Sequence, residues 1–381
     1  WIRDFAMSLE SGLILHKILR HAILLTAATQ QEAPRRTSTG GIVPAGAIAD
    51  HINFDGRPMF YPGSMDPENQ GGEPWGTLPS LDNHFYFILM VWHDVKKTGK
   101  SAILDKRVGG RTILERMELA YRVPPADKKT GLLKVGLKNR GASFGFTDSV
   151  HHTGFLMFGS ILKYEAALAL ADMLVVHGQA KRAAQYTREA RLIQRSIPKV
   201  FKGPGGWLRA STGQSGQCDA WGTAYAVYTG LLEGAARRKA CLALAKACRK
   251  DGELAWRGSI RHVPASLQFS EDKCWEKLAT PEYEAPCRYQ NGAYWNTPTG
   301  WVVFAIAQVD KALAARLASA YIAELRTGDF RKGRGFGSPW ECMHPDTEYH
   351  QNPVYMTSVT CPLAAFKKLG WTAEDTGGRT H

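Results

Sequence analysis

At 381 residues, 44% of them hydrophobic and 22% charged, the chain is long enough to bury a large core, in one domain or two. The formal charge of +13 would suit an acidic partner, yet its basic residues scatter over helical stretches such as 180–195 and 235–250, with no recognisable nucleic-acid motif. A solvated basic surface is expected, with no nucleic-acid partner. The longest apolar run, residues 12–28, is interrupted by His16, Lys17, Arg20 and His21, so no membrane partner is expected. Seven cysteines, at 218, 241, 248, 274, 287, 342 and 361, form no close CxxC pair and so no thiolate zinc site. Their odd count and wide spacing favour reduced thiols and slightly favour the cytoplasm, with a Cys274–Cys287 bridge left open. The chain begins at Trp1 without a methionine or signal peptide, and a truncated front is expected.

In chain order, residues 4–30 read as one long helix with Phe5, Leu9, Leu13, Ile18 and Ile23 on its apolar face. The stretch up to Pro79 is rich in Gly and Pro and reads as a long loop. Its Asp50, Asp55, Tyr61, Asp66, Glu68 and Trp75 suit either a sugar-facing wall or an ordinary surface excursion. Helical pairs follow at 82–97 with 108–123, 153–176 with 180–201, 220–233 with 235–250, and 296–309 with 311–326; a last helix, 354–369, has no returning partner.

Six of these segments start beside a polar or acidic residue set among aromatics: Asp4, Asp82, Asp148, Asp219, Asn291 and Tyr355, roughly 64 to 78 residues apart by subtraction. Six starts predict an all-α fold, an (α/α)6 toroid of six helical hairpins forming a single domain over residues 1–381. Inner helices would bring their N-termini, and hence unpaired amides and positive dipole ends, to one mouth. Glycine-rich loops at 202–217, 251–288 and 328–351 would gather Trp207, Trp221, Trp275, Trp295, Trp340 and Tyr349 there, as sugar platforms or as core packing.

The stretch Phe144-Gly-Phe-Thr-Asp148 places an acid in an aromatic loop, where Phe144, Phe146 and Phe155 would raise its pKa and keep a proton available. Asp148 is therefore the candidate catalytic acid. Asp82 and Asp219 both suit helix N-caps; Asp82 is read as a cap and Asp219 as a binder of ligand hydroxyls. The histidines, His152 among them, fit no zinc spacing and suit hydroxyl binding, so no metal is expected. Arg3 and Asp4 suit either a capping pair or a hydroxyl clamp.

Several of these segments resemble glycosidases of the six-hairpin superfamily. Trp1-Ile-Arg-Asp4 resembles the WxRD motif of glucoamylases, and Arg3-Asp-Phe5 a segment of neutral invertases. Gly145-Phe-Thr-Asp148-Ser-Val, ahead of a long helix containing Glu165, is similar to the neutral-invertase stretch that carries the general acid. Tyr289-Gln-Asn-Gly-Ala-Tyr-Trp295 resembles the Y-x-N-G-x-x-W signature of sugar pockets in the superfamily, and Pro339-Trp-Glu341 falls where its catalytic base lies.

The resemblance implies an inverting, exo-acting glycoside hydrolase that removes a terminal sugar from a di- or oligosaccharide without a cofactor. Asp148 would be its acid and Glu341 its base, with Glu348 a rival base, and Trp1, Arg3, Asp4, Tyr289, Gln290, Asn291, Trp295, Trp340 and Trp221 would line the sugar site. Inversion would place the two carboxyls roughly 6.5–9.5 Å apart. Asp148 is followed by Ser149-Val150-His151-His152 where the invertases carry two arginines, which speaks against sucrose. Competing readings are a lyase or unsaturated uronyl hydrolase acting on acidic glycans, and a non-catalytic carbohydrate-binding ring. The sugar and the oligomeric state stay open.

Overall fold

The computed structural model describes residues 1–72, 75–213, 216–250, 252–267, 285–328, 331 and 337–372. They divide into two compact units, the first made of 1–9, 14–200 and 211–215, the second of 10–13, 201–210 and 216–381.

In the first unit the helices are α1 (Ile2–Met7), α2 (His16–Ala28), α3 (Asn83–Thr98), α4 (Ala102–Asp105), α5 (Ile113–Arg122), α6 (Met157–Val176) and α7 (Ala180–Val200). Helices α3 and α6 are apolar almost all round and buried on nearly every face, and they pack on each other. Helix α7 buries one stripe, Ala183, Tyr186, Ala190, Ile193 and Ile197, against α6. Helix α5 starts at a capping box in which Thr112 and Glu115 satisfy each other's backbone N–H groups. The expected long first helix is instead two, α1 and α2, joined through a 3-10 turn at Leu9–Ser11 and Gly12, whose φ of +74° lies outside the helical region.

Between these helices run paired two-residue strands, all antiparallel: β1 (Arg35–Arg36) with β2 (Ile42–Val43), β3 (His51–Ile52) with β4 (Pro58–Met59), β5 (Arg107–Val108) with β6 (Arg111–Thr112), and β7 (Lys134–Val135) with β8 (Gly154–Phe155).

The second unit contains α8 (Ala220–Tyr228), α9 (Gly234–Arg249), α10 (Thr299–Ala307), α11 (Lys311–Thr327) and α12 (Thr357–Lys368). Helices α8 and α10 are buried nearly all round, whereas α11 turns inward only Leu313, Ala314, Leu317, Ala318 and Tyr321. Gly300 lets α12 close on α10, since a Cβ there would come within 2.7 Å of Pro362 and Ala365. Five strands, β9 (Ala255–Trp256), β10 (Ser259–Ile260), β11 (Tyr294–Trp295), β12 (Trp340–Met343) and β13 (His350–Pro353), form one antiparallel sheet in the order β13-β12-β11-β10-β9. Its register pairs Trp295 with both Ile260 and Cys342, and Trp340 with Pro353.

These sheets overturn the all-α expectation. With 49% of the described residues helical, 13% in strands and five sheets, the architecture is mixed α/β and not an (α/α)6 toroid. The membership of the six-hairpin glycosidases that the motifs suggested falls with it, as does the inverting glycoside hydrolase in which Asp148 and Glu341 faced each other across a ring. The lyase and carbohydrate-binding-ring readings rested on the same ring. The error has a physical source: all but two of these strands are two residues long, and the other two only four, too short to show the alternation that marks a strand in sequence. No helix among the described residues is long and apolar enough to cross a membrane. Cys274 and Trp275 lie outside the described residues, and Cys287 is a free thiol.

The β9–β10 turn is a sensitive point of the sheet. Arg257 and Gly258 both have positive φ, 44° and 83°, as a two-residue hairpin turn demands. Arg257 tolerates this while lying over the Trp256 ring at 4.8 Å and pairing with Glu324 at 2.9 Å. A Cβ on Gly258 would meet the Leu317 carbonyl at 2.6 Å. Gly258→Ala is therefore expected to destabilise the protein by about 1–3 kcal/mol, read as a lowered denaturant midpoint.

Candidate functional site

In the first unit the polar residues converge on Arg3. Helix α1 is anchored by the Ile2 amide, which donates to the Asp50 carbonyl at 3.0 Å, and this turns Arg3 inward to 4% exposure. Its Nε donates to Asp82 Oδ2 at 2.7 Å, and its Nη2 reaches Asp50 Oδ1 at 3.0 Å, Asp82 Oδ1 at 3.2 Å and Asn83 Oδ1 at 3.3 Å. Burial opposes the charge on Arg3, but the facing Asp82 and Asp50 outweigh it and hold the guanidinium well above its ordinary pKa. Burial likewise works against ionised Asp50, yet Arg3 and His51 keep it below the usual carboxylate range.

The Phe-Gly-Phe sequence explains how a loop reaches this pair. Phe144 stacks on Phe158 at 3.8 Å and meets Phe146 edge to face at 5.4 Å, fixing both ends of the turn in the core. Between them the Gly145 amide donates to Asp82 Oδ2 at 2.9 Å. A Cβ at this position would overlap the Arg3 guanidinium, so the close approach requires glycine. The 3-10 turn Gly145–Thr147 then ends at Asp148, which is half-buried. Desolvation raises the Asp148 carboxyl to about 7; Arg3 opposes that rise and the negative Asp50 and Asp82 add to it.

Two imidazoles nearby in the chain are held neutral. Burial lowers His84 and His152 to about 4, with His151 contributing at His152. His84 Nδ1 is bonded to the Leu81 carbonyl at 3.1 Å, which leaves Nε2 the acceptor. Among the buried polar atoms in these segments that have no protein partner are His51 Nε2, Asn83 Nδ2, His84 Nε2 and Ser149 Oγ. Such atoms are uncommon in folded proteins and call for a water or a ligand. Trp1 stacks on His51 at 4.9 Å with the rings 25° apart, and Asp4 is half-buried beside Arg3 in the chain.

In the second unit Glu341, 3% exposed on β12, accepts from Asn352 Nδ2 at 2.7 Å and from the Tyr289 hydroxyl at 3.4 Å. Both donors are non-glycine residues with positive φ, 41° at Tyr289 and 43° at Asn352. Trp295 Nε1 donates to the Tyr289 carbonyl at 3.3 Å, and the Gln290 and Asn291 side chains are buried alongside. Trp221 stacks on His262 at 3.7 Å and, like Trp207 and Trp295, is buried, so these indoles are core and present no open face. Trp340 lies against His350 at 4.2 Å, and Glu348 is exposed.

The two capping assignments exchange places. Asp219, expected to bind hydroxyls, caps α8 by accepting the Gly222 amide at 2.9 Å, with burial raising its carboxyl to about 6. Asp82, expected to cap α3, makes no capping bond and holds Arg3. Arg3, Asp82 and Asp148 thus come together in the first unit, and Tyr289, Trp295 and Glu341 in the second. Sequence reasoning missed His51, Asn83 and Asn352; an Asp-His pair inside the Gly/Pro-rich segment was the available signal for His51. Among the described residues no group of three His, Cys, Asp or Glu side chains is placed to hold a metal ion.

No protein-family model matches the sequence, and no curated protein matches it. The site must be read from its own chemistry.

Two outcomes follow from that chemistry. Gly145→Ala should displace Arg3 and break its buried pairs, at a cost of about 3–5 kcal/mol, measured by chemical denaturation. Asp148 has a folded-state pKa above its unfolded value of 3.8, so it contributes stability fully below that pH and loses it as pH rises through about 7. Asp148→Asn should therefore flatten the melting-temperature profile across this window. At about pH 8 it should melt above the parent, by about 2–4 °C for each kcal/mol recovered.

Proposed function

We propose that the first unit is a binding site for an uncharged, hydroxyl-rich ligand of the sugar class. The observation that carries this reading is the set of partnerless buried atoms, His51 Nε2, Asn83 Nδ2, His84 Nε2 and Ser149 Oγ, set in the segments that hold the Arg3 ion pairs. Donors and acceptors in fixed positions, beside carboxylates that take hydroxyl protons in short charge-assisted bonds, are what a polyol requires.

Charge narrows the choice. One guanidinium faces Asp50 and Asp82, and Asp148 adds a further negative charge above about pH 7. The balance disfavours an anionic ligand such as a uronate and accepts a neutral one. Asp148 changes its hydrogen-bonding role across neutrality, donating when protonated and only accepting when ionised. The reading assigns binding and no bond-breaking step.

Calorimetric titration with neutral monosaccharides and with glucuronate, at about pH 6 and about pH 8, tests it. Saturable binding of at least one neutral sugar is expected. Glucuronate should bind more weakly than that sugar, and more weakly still at the higher pH as Asp148 ionises. Absence of binding by every neutral sugar, or preference for glucuronate, would overturn the reading.

A further inference from the structure

Helix α7 turns Ala183, Tyr186, Ala190, Ile193 and Ile197 into the core. At about 100° per residue, Lys181, Arg188, Arg191, Arg195 and Lys199 fall within a sector of about 80° on the opposite side. All five are exposed. The row from Lys181 to Lys199 is about 27 Å long at the helical rise, and its neighbouring cations stand about 5–10 Å apart along the axis. Among the described residues none of the five is ion-paired, whereas the charged residues on the flank of the row are spent: Arg182 pairs with Glu118, and Glu189 with Lys163.

A cavity of about 360 Å³ opens beside the row. Arg188, Glu189 and Leu192 line it from α7, and Asp127, Lys128 and Gly131 line it from the turn ahead of β7. The Asp127 carboxylate is occupied by its own turn, accepting the amides of Lys129 at 3.1 Å and Thr130 at 2.9 Å. Lys128 is exposed and adds a sixth cation on the far wall from Arg188. Like charges three and four residues apart weaken a helix, so the row costs stability, and no described carboxylate offsets it. Charges this close lie within the Debye length of about 10 Å at 0.1 M salt and act on a ligand as one line. None of the large exposed apolar side chains lies on α7, and its one aromatic, Tyr186, is buried. The face thus offers nothing to enter a bilayer, to stack on an unpaired base or to form the apolar centre of a protein interface. It offers guanidinium forks, which grip phosphate oxygens in pairs, set in a straight line.

We propose that this face of α7 binds double-stranded nucleic acid along its phosphodiester backbone, without reading sequence. One strand of a duplex carries a phosphate about every 3.4 Å, so about eight phosphates face a row of this length, enough to meet all five cations. The lack of a recognisable nucleic-acid motif in the sequence fits contacts made to the backbone alone. Helix geometry gathers on one side what the bare sequence shows as scattered charge. The row shares no residue with the Arg3 cluster, so this inference is independent of the sugar-binding reading.

Fluorescence anisotropy with labelled DNA and RNA duplexes of about 20 base pairs, over about 50–200 mM salt, tests it. At least one duplex should bind, with log K falling against log salt at a slope of about −4.5, roughly 0.9 for each of five phosphates, a loss of about 500-fold over that range. Arg191→Glu combined with Arg195→Glu should weaken binding by about tenfold or more and flatten the slope by about 2. Arg191→Lys combined with Arg195→Lys should keep the slope. Arg238→Glu combined with Lys239→Glu, two exposed positions on α9, changes the net charge by the same amount and should leave affinity close to the parent's. Equal losses from the two charge-reversed pairs would mark diffuse attraction to the whole chain and overturn the proposal. So would failure of both duplexes to bind, tighter binding of a single strand or of polyglutamate, or capture by phosphatidylserine vesicles in place of the duplexes.

Discussion

A guanidinium buried between two carboxylates sets the terms for the whole first unit. Removing Arg3 and its two partners from water costs several kcal/mol per ion, and only near-ideal geometry offsets that loss. The geometry is met from four separate places in the chain: α1 supplies Arg3, the strand-leading segment Asp50, the start of α3 Asp82, and the aromatic loop the amide of Gly145. None of these can shift without leaving a buried charge uncompensated. The arrangement therefore selects one relative placement of α1, α3 and the loop ending at Asp148, whose carboxyl is raised chiefly by its own desolvation, against the opposing pull of Arg3.

The second unit also buries an acid, on its sheet. Glu341 accepts from two neutral donors, Asn352 and Tyr289. Both donors sit at left-handed backbone positions that ordinary residues adopt only at a cost of order 1–3 kcal/mol. The five-stranded sheet bears that cost, since β12 carries the acid and β13 the amide that meets it.

Much of the helical content was legible because wholly apolar segments such as α6 and one-sided segments such as α7 carry their burial in their periodicity. The sheets were not, because strands as short as Tyr294–Trp295 or Ser259–Ile260 hold too few residues for any period. At the site, Arg3, Asp82 and Asp148 stood out as charges among aromatics before helices, whereas Asp50 and His51 lie in a segment with no repeating pattern. Local sequence also could not separate Asp82 from Asp219. An acid ahead of an apolar helix satisfies capping in either place, and only the distant Arg3 decides which one is diverted from it. The same ambiguity let short motifs suggest a family whose architecture the chain does not share.

Helix α1 has only six residues, and so few turns cannot hold a helical shape unaided in water. What keeps it formed is the docking of its own arginine, so the segment that provides the cation also needs the carboxylates in order to exist as a helix. Formation of the buried ion pairs and ordering of this segment are then a single cooperative event. A molecule that engaged these ion pairs would tighten a stretch of backbone as well, and part of its affinity would be spent on that ordering.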